Sequence, residues 1–159
     1  MPVSEDEFRS ALSRFASGVT VVTTKDSAGD FHGITVSSFC SVSLKPPMVL
    51  VCIEKTTGSH YAFNESDHFA VNILDVSQKE VSERFASTIP NKFEGVEFEL
   101  NIEEVPVLAG CVANLECRLR MAWDGGDHTI FVGEVEKVTV FPGDPLIYFY
   151  GDYRQIAEH

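Results

Sequence analysis

The stretch from Gly33 to Ile53, GITVSSFCSVSLKPPMVLVCI, decides the fold. Gly33 to Ser38 and Met48 to Ile53 are rich in β-branched residues and predict two strands separated by a Ser- and Pro-rich turn region. Outward from it, Val19 to Thr24 and Phe69 to Leu74 have the same character and predict two more. Further along, Leu115, Cys117, Leu119 and Met121 alternate with Glu116, Arg118 and Arg120, the period-two mark of a half-buried strand. A four-residue DGGD turn, Asp124 to Asp127, leads into a partner strand from Thr129 to Phe141. After Pro142-Gly143-Asp144-Pro145 a last strand covers Leu146 to Tyr150. Helices are few. Ser4 and Glu7 form a capping-box pattern ahead of an apolar stripe of Phe8, Ala11, Leu12 and Phe15, on a helix expected to end near Gly18. A short helix is expected from Gly58 to Asn64, and a third is opened by Ser77 and Glu80, with Val81 and Phe85 on one face. Seven short strands without regular βαβ alternation give a mainly β chain, an antiparallel sheet closed into a small barrel with a few flanking helices.

The 159 residues suit a single domain spanning 1–159, and they exclude repeat arrays and large two-domain enzymes. With 44% hydrophobic and 23% charged residues the composition is that of a globular protein with a real core. A formal charge of -12 repels phosphodiester backbones and anionic lipid, so nucleic acid and membrane surfaces are poor partners. The longest apolar run, Met48 to Ile53, is too short to span a bilayer, and the acidic amphipathic N-terminal segment does not resemble a signal peptide; a cytoplasmic location is expected. Cys40, Cys52, Cys111 and Cys117 contain no CxxC pair and predict free thiols, mostly buried, with no structural metal.

No GxSxG elbow, HExxH helix or Walker loop is present, so nucleophilic and metal catalysis have no anchor. The unusual feature is the crowding of Thr35, Ser37, Ser38, Ser41 and Ser43, hydroxyls that both donate and accept and so suit a polar ligand. The bland alternative is a solvated strand face. Lys55, Thr56, Thr57, Gly58 and Ser59 precede a helix and form a candidate phosphate seat, with Lys55 and Arg84 as the candidate cations; a plain helix cap is the alternative. His128 opens a strand after the DGGD turn, at a barrel rim where it can meet a ligand. His32, His60, His68 and His159 have weaker settings.

FRSALSRFASGVTVVTT, GITVSSFCSVSLKPPMVLVCI, FAVNIL, GDHTIFVGEV and PLIYFYGDYRQI, in that order from Phe8 to Ile156, resemble the short-chain flavin reductases of two-component monooxygenase systems. The resemblance implies a flavin-binding split β-barrel, usually a homodimer, that takes FMN or FAD with NADH or NADPH as hydride donor and serves a monooxygenase partner. It implies that Thr35, Val36, Ser37 and Ser38 border the flavin ring and ribityl chain. Ser41, Val42 and Ser43 would continue that wall, and Cys52, Ile53 and Glu54 would form the next strand end. Lys55, Gly58 and Ser59 match the phosphate-side turn, Arg84 and Phe85 the helix closing over it, and His128 the nicotinamide-nucleotide side. Tyr153 and Arg154 match a C-terminal stretch near the same site. Cys40 stands where the family commonly has a small residue. No catalytic side chain is implied. A non-catalytic flavin- or haem-binding split-barrel module and a barrel for a small apolar ligand are the alternatives.

Overall fold

The strands demanded by the β-branched runs form, and they are laid out in a computed structural model that describes residues 2–157. In chain order the elements are α1 (Glu5–Leu12), β1 (Ser17–Gly18), β2 (Thr20–Lys25), β3 (Phe31–Val36), β4 (Phe39–Leu44), β5 (Pro47–Glu54) and α2 (His60–Glu65). They continue with β6 (His68–Ile73), α3 (Lys79–Ala86), β7 (Phe98–Leu100), β8 (Pro106–Leu108), β9 (Ala113–Gly125), β10 (His128–Val140), β11 (Ile147–Phe149) and β12 (Asp152–Arg154). Seven strands pair antiparallel in the order β3-β2-β6-β9-β10-β5-β4. Its two outer strands, β3 and β4, are consecutive in the chain, so the sheet curls back on itself and stays open along one seam, a split barrel.

The expected count of seven holds for this sheet, but its membership differs. The apolar Leu146 to Tyr150 run supplies β11, which pairs with β1 and β12 in a separate three-stranded sheet. The seventh place is taken by β4, the hydroxyl-rich segment that the sequence suggested only as turn and strand margin. The hairpin loop is also shorter than the expected four residues: His128 pairs with Gly125, leaving Gly126 and Asp127 as a two-residue turn.

Two apolar clusters fill the interior. The barrel core packs Val22, Val36, Val51, Ile53, Phe63, Phe69, Val71 and Phe131, and the second cluster joins Val21, Leu74, Phe85, Leu108 and Leu146 beneath α3. A buried polar knot ties β8 to the main sheet. The Asn72 amide donates to Val21 O (2.9 Å) and Thr23 Oγ1 (3.1 Å), and its oxygen accepts from Leu108 N (3.0 Å) and the Asn114 amide (2.8 Å). Every polar atom of the Asn72 side chain is thereby paired, as burial requires.

The helices show where local pattern misleads. The first has the capping box that Ser4 and Glu7 foretell, but it stops at Leu12, and none of its side chains is buried. Its apolar stripe therefore faces outward, with Phe8, Leu12 and Phe15 all exposed. The capping box before α3 is formed not by Ser77 and Glu80 but by Asp75 and Gln78, on a 3₁₀ turn that feeds the helix. Asp75 is the better cap because its carboxylate accepts from both Ser77 N and the Ser77 hydroxyl. The short helix starts at His60 rather than Gly58, and its N-cap Ser59 makes no side-chain capping bond. The four thiols are free, as expected. Cys111 and Cys117 are buried, and burial pushes their thiols up to about 11 and about 12; Cys52 is half-buried and Cys40 exposed.

Candidate functional site

The site is organised around one turn, Glu54 to Ser59, which leaves β5 with a cleft on one side and the tip of the β9–β10 hairpin on the other. The cleft, about 920 Å³, is walled by the start of β3 from Asp30 to Ile34, by Thr56 to Ser59, and by the chain from Phe85 to Glu94. Its back wall is set by contact between β3 and α3. A Cβ on Gly33 would lie 2.6 Å from the Phe85 ring, so the glycine lets the strand backbone rest on that ring. Phe85 is fully buried and meets Phe93 edge-on at 5.0 Å, which carries the order of the helix into the following loop.

Among the expected cations, neither points a free charge into this cleft. Arg84 donates from Nε to Lys92 O (2.6 Å) and from Nη2 to Asn91 O (3.0 Å), so its guanidinium braces the loop. The Lys55 ammonium is paired with Asp124 and donates to Gly126 O (2.7 Å), which carries it to the hairpin tip. The cation on the cleft wall is Lys92, which the sequence reading missed. Its Nζ donates to Phe85 O (3.0 Å) and Gly33 O (3.3 Å), it has no carboxylate partner among the described residues, and burial pulls its pKa below the usual lysine value. A half-buried ammonium satisfied only by carbonyls gains from an anion nearby. Lys92 lies in a segment without periodicity; its one signal was being the lone cation between Ser87 and Glu97.

Gly58 and Ser59 line the cleft, and the fully buried Phe85 backs its wall. Thr35 lies beside it and donates to Ser82 O (2.6 Å), while Ser82 Oγ shares a 2.8 Å hydrogen bond with the Tyr153 hydroxyl. Thr35 and Tyr153 are thus joined through α3, and Arg154 follows on the exposed end of β12. Val36 and Ile53 point into the barrel core, which leaves only their main chain available to a ligand. Ser37 and Ser38 are exposed, and Ser38 is locked to Cys52 by Ser38 Oγ to Cys52 O (2.9 Å) and Cys52 N to Ser38 O (3.2 Å). Ser41, Val42 and Ser43 lie on the edge strand β4, with an irregularity at Val42, and none of them lines the cleft.

On the other side of the turn, sheet register gathers the remaining residues. Glu54 pairs with His128 and Cys52 with Ile130, so all four share the face opposite the core-directed Val51 and Ile53. His128 Nδ1 lies 2.6 Å from Asp127 Oδ1, and this contact holds the Asp127 carboxyl below the usual carboxylate range. Main chain joins the two sides, since Lys55 N donates to Asp127 O at 2.9 Å.

Residues 12–157 match the family described as the flavin reductase like domain. The chain belongs to that family. This flavin reductase-like chain is 45% identical over 150 residues to the FMN reductase (NADH) of Agrobacterium fabrum, covering 94% of this chain and 85% of that protein. It is 38% identical over 152 residues to the reductase subunit of a flavin-dependent monooxygenase of Mycobacterium tuberculosis, covering 94% and 81%. Its fold superimposes with a TM-score of 0.92 and 37% identity on the NADH:FAD oxidoreductase of Streptomyces globisporus solved with NAD and FAD fragments, covering 99% of this chain and 95% of that one.

Proposed function

We propose that this protein, as one flavin reductase-like unit, carries hydride from NADH or NADPH to FMN, FAD or riboflavin and hands the reduced flavin to a separate monooxygenase component. The observation that carries the reading is the single turn with two sides. One side offers a half-buried ammonium and hydroxyls, suited to a phosphate tail. The other offers a sheet face bearing Ser38, Cys52, Glu54 and His128, suited to flat polar rings.

The redox chemistry is supplied by the two ligands, with a dihydropyridine as donor and a flavin as acceptor. The chain's own work is to bind and orient. Ser37, Ser38 and the main chain of Val36, Cys52 and Ile53 border the flavin ring, with Thr35 fixing that strand end to α3. Ser41, Val42 and Ser43 extend the wall along β4. Lys92, Gly58 and Ser59 hold the phosphate, and Arg84 and Phe85 keep the loop that presents Lys92 in place. Lys55 positions the hairpin, Glu54 and His128 meet the nicotinamide nucleotide, and Tyr153 steadies α3 through Ser82. Held together in one orientation by these residues, donor and acceptor would exchange a hydride as an oriented pair rather than by chance encounter.

We further propose a homodimer in the cytoplasm. The exposed apolar stripe of α1 and the exposed Tyr148, Phe149 and Tyr150 suit a second copy, and four free thiols suit a reducing compartment. A dimer mass in solution is expected. Purified protein should consume NADH only when a flavin is added; no consumption with FMN, FAD or riboflavin and either nucleotide overturns the reductase reading.

A further inference from the structure

The first two residues of α2, His60 and Tyr61, bond to different strands of the barrel. Successive helical residues point about 100° apart, so neighbours in sequence can reach separate elements. Tyr61 reaches the β2–β3 hairpin. Its hydroxyl donates to Asp26 Oδ2 (2.9 Å), and the same oxygen lies 2.8 Å from Nε2 of His32, a residue of the cleft wall. Asp26 is buried, and its other oxygen accepts from Ala28 N and Asp30 N, both at 2.9 Å. These contacts, the one with His32 foremost, bring its carboxyl down to about 2, so Asp26 stays a charged acceptor at neutral and mildly acidic pH. His60 reaches the other way. The Asn64 amide nitrogen lies 3.3 Å from its Nδ1 and can only donate, which leaves the imidazole proton on Nε2 to be donated to Thr129 Oγ1 (2.8 Å). Thr129 is buried and directly follows His128 on β10.

Apolar contact already seats the helix on the barrel, through the buried Ala62 and Phe63. At its far end Glu65 accepts from the Ser27 N–H (3.2 Å) and the Ser27 hydroxyl (2.9 Å). Burial is non-directional and tolerates a small rotation or slide of a six-residue helix. Bonds from adjacent residues to two different strands do not, because a hydrogen bond weakens steeply as its angle opens. Their effect falls on the residues just before them. Gly58 and Ser59 line the cleft, and Ser59 makes no side-chain capping bond that would fix it independently.

We propose that His60 and Tyr61 are positioning residues for both sides of the site. Tyr61, through Asp26 and His32, sets Gly58 and Ser59 against the cleft wall; His60, through Thr129, sets the first residues of β10, His128 included. The inference rests on the reductase reading. Neither side chain is given a ligand to touch, and each acts through the residues it fixes.

The test measures KM for FMN, riboflavin and NADH, together with the unfolding midpoint, in wild type, Tyr61→Phe, His60→Leu, His60→Gln and Glu65→Ala. Loss of one directional bond predicts that Tyr61→Phe raises KM for FMN about threefold and leaves KM for riboflavin, which has no phosphate, as it was. His60→Leu should raise KM for NADH about threefold with little change for either flavin. His60→Gln, whose amide nitrogen can donate to Thr129, should recover most of that loss. Glu65→Ala, which loosens the far end of the same helix, should lower the unfolding midpoint and move no KM. Unchanged KM values in both Tyr61→Phe and His60→Leu, equal rises for FMN and riboflavin in Tyr61→Phe, no recovery in His60→Gln, or equally large KM changes in Glu65→Ala would each overturn the inference, leaving the pair as helix docking alone. Should His60→Leu fail to fold, Tyr61→Phe set against Glu65→Ala still decides it. Absence of NADH oxidation by wild type with every flavin would instead remove the reading beneath it.

Discussion

The two sides of the Glu54 to Ser59 turn are held by opposite means. On the cleft side, Phe85 is buried against Gly33 and Phe93, and the Arg84 guanidinium clamps two loop carbonyls. On the hairpin side, an exposed ammonium and an exposed carboxylate, Lys55 and Asp124, hold the rim in water. The first arrangement draws on burial, which is strong and indifferent to salt; the second draws on an ion pair that solvent and counterions weaken. On the proposed assignment, the phosphate would meet a rigid wall, whereas a nucleotide that comes and goes with each turnover would meet a rim that is inexpensive to adjust.

The largest effect is expected at Phe85. Phe85→Ala should cost about 3–5 kcal/mol in denaturant unfolding, since it removes a ring that joins strand, helix and loop; a loss under about 1 kcal/mol would show that burial does not anchor the cleft wall. Lys92→Met should raise KM for FMN about tenfold and leave KM for riboflavin, which has no phosphate, nearly as it was. Equal rises for both flavins would place Lys92 in the scaffold rather than at the phosphate. His128→Ala should raise the nucleotide KM about fivefold with a smaller change in flavin affinity, and equal changes would erase the division between the two sides. The smallest effect is expected for Lys55→Met, less than about 1 kcal/mol in stability and shrinking further as salt is added. A larger, salt-independent loss would mean that the rim too is held by burial.

Strands were legible because β-branched runs and period-two alternation are local properties. Val19 to Thr24, Met48 to Ile53 and Phe69 to Leu74 each sit within two residues of an observed strand. Partner choice was not legible. Leu146 to Tyr150 is more apolar than Phe39 to Leu44, yet the latter completes the main sheet because it directly follows β3 and hairpins onto β5. Competing caps mattered at α3, where Ser77 had the right spacing but Asp75 had the stronger acceptor. For the proposed site, Gly58 and Ser59 were singled out from their string and His128 from its place after the hairpin turn, whereas Phe85 entered only through the family resemblance. The direction of a long side chain could not. Lys55 and Arg84 occupy the expected places but spend their donors on Asp124, Gly126, Asn91 and Lys92, and those partners are set by tertiary approach. Lys92 escaped because it lies in an aperiodic loop, where no periodic pattern marks the direction of a side chain.

The main-chain bond from Lys55 N to Asp127 O has a wider reach than its length suggests. Because it ties the turn beside the cleft to the tip of the hairpin, a shift of the hairpin would be passed on to that turn. If the proposed assignment holds, gene shuffling that grafts a foreign hairpin onto this barrel to change its electron donor would disturb its taste in acceptors as well, and the pair would have to be re-optimised as one inherited unit.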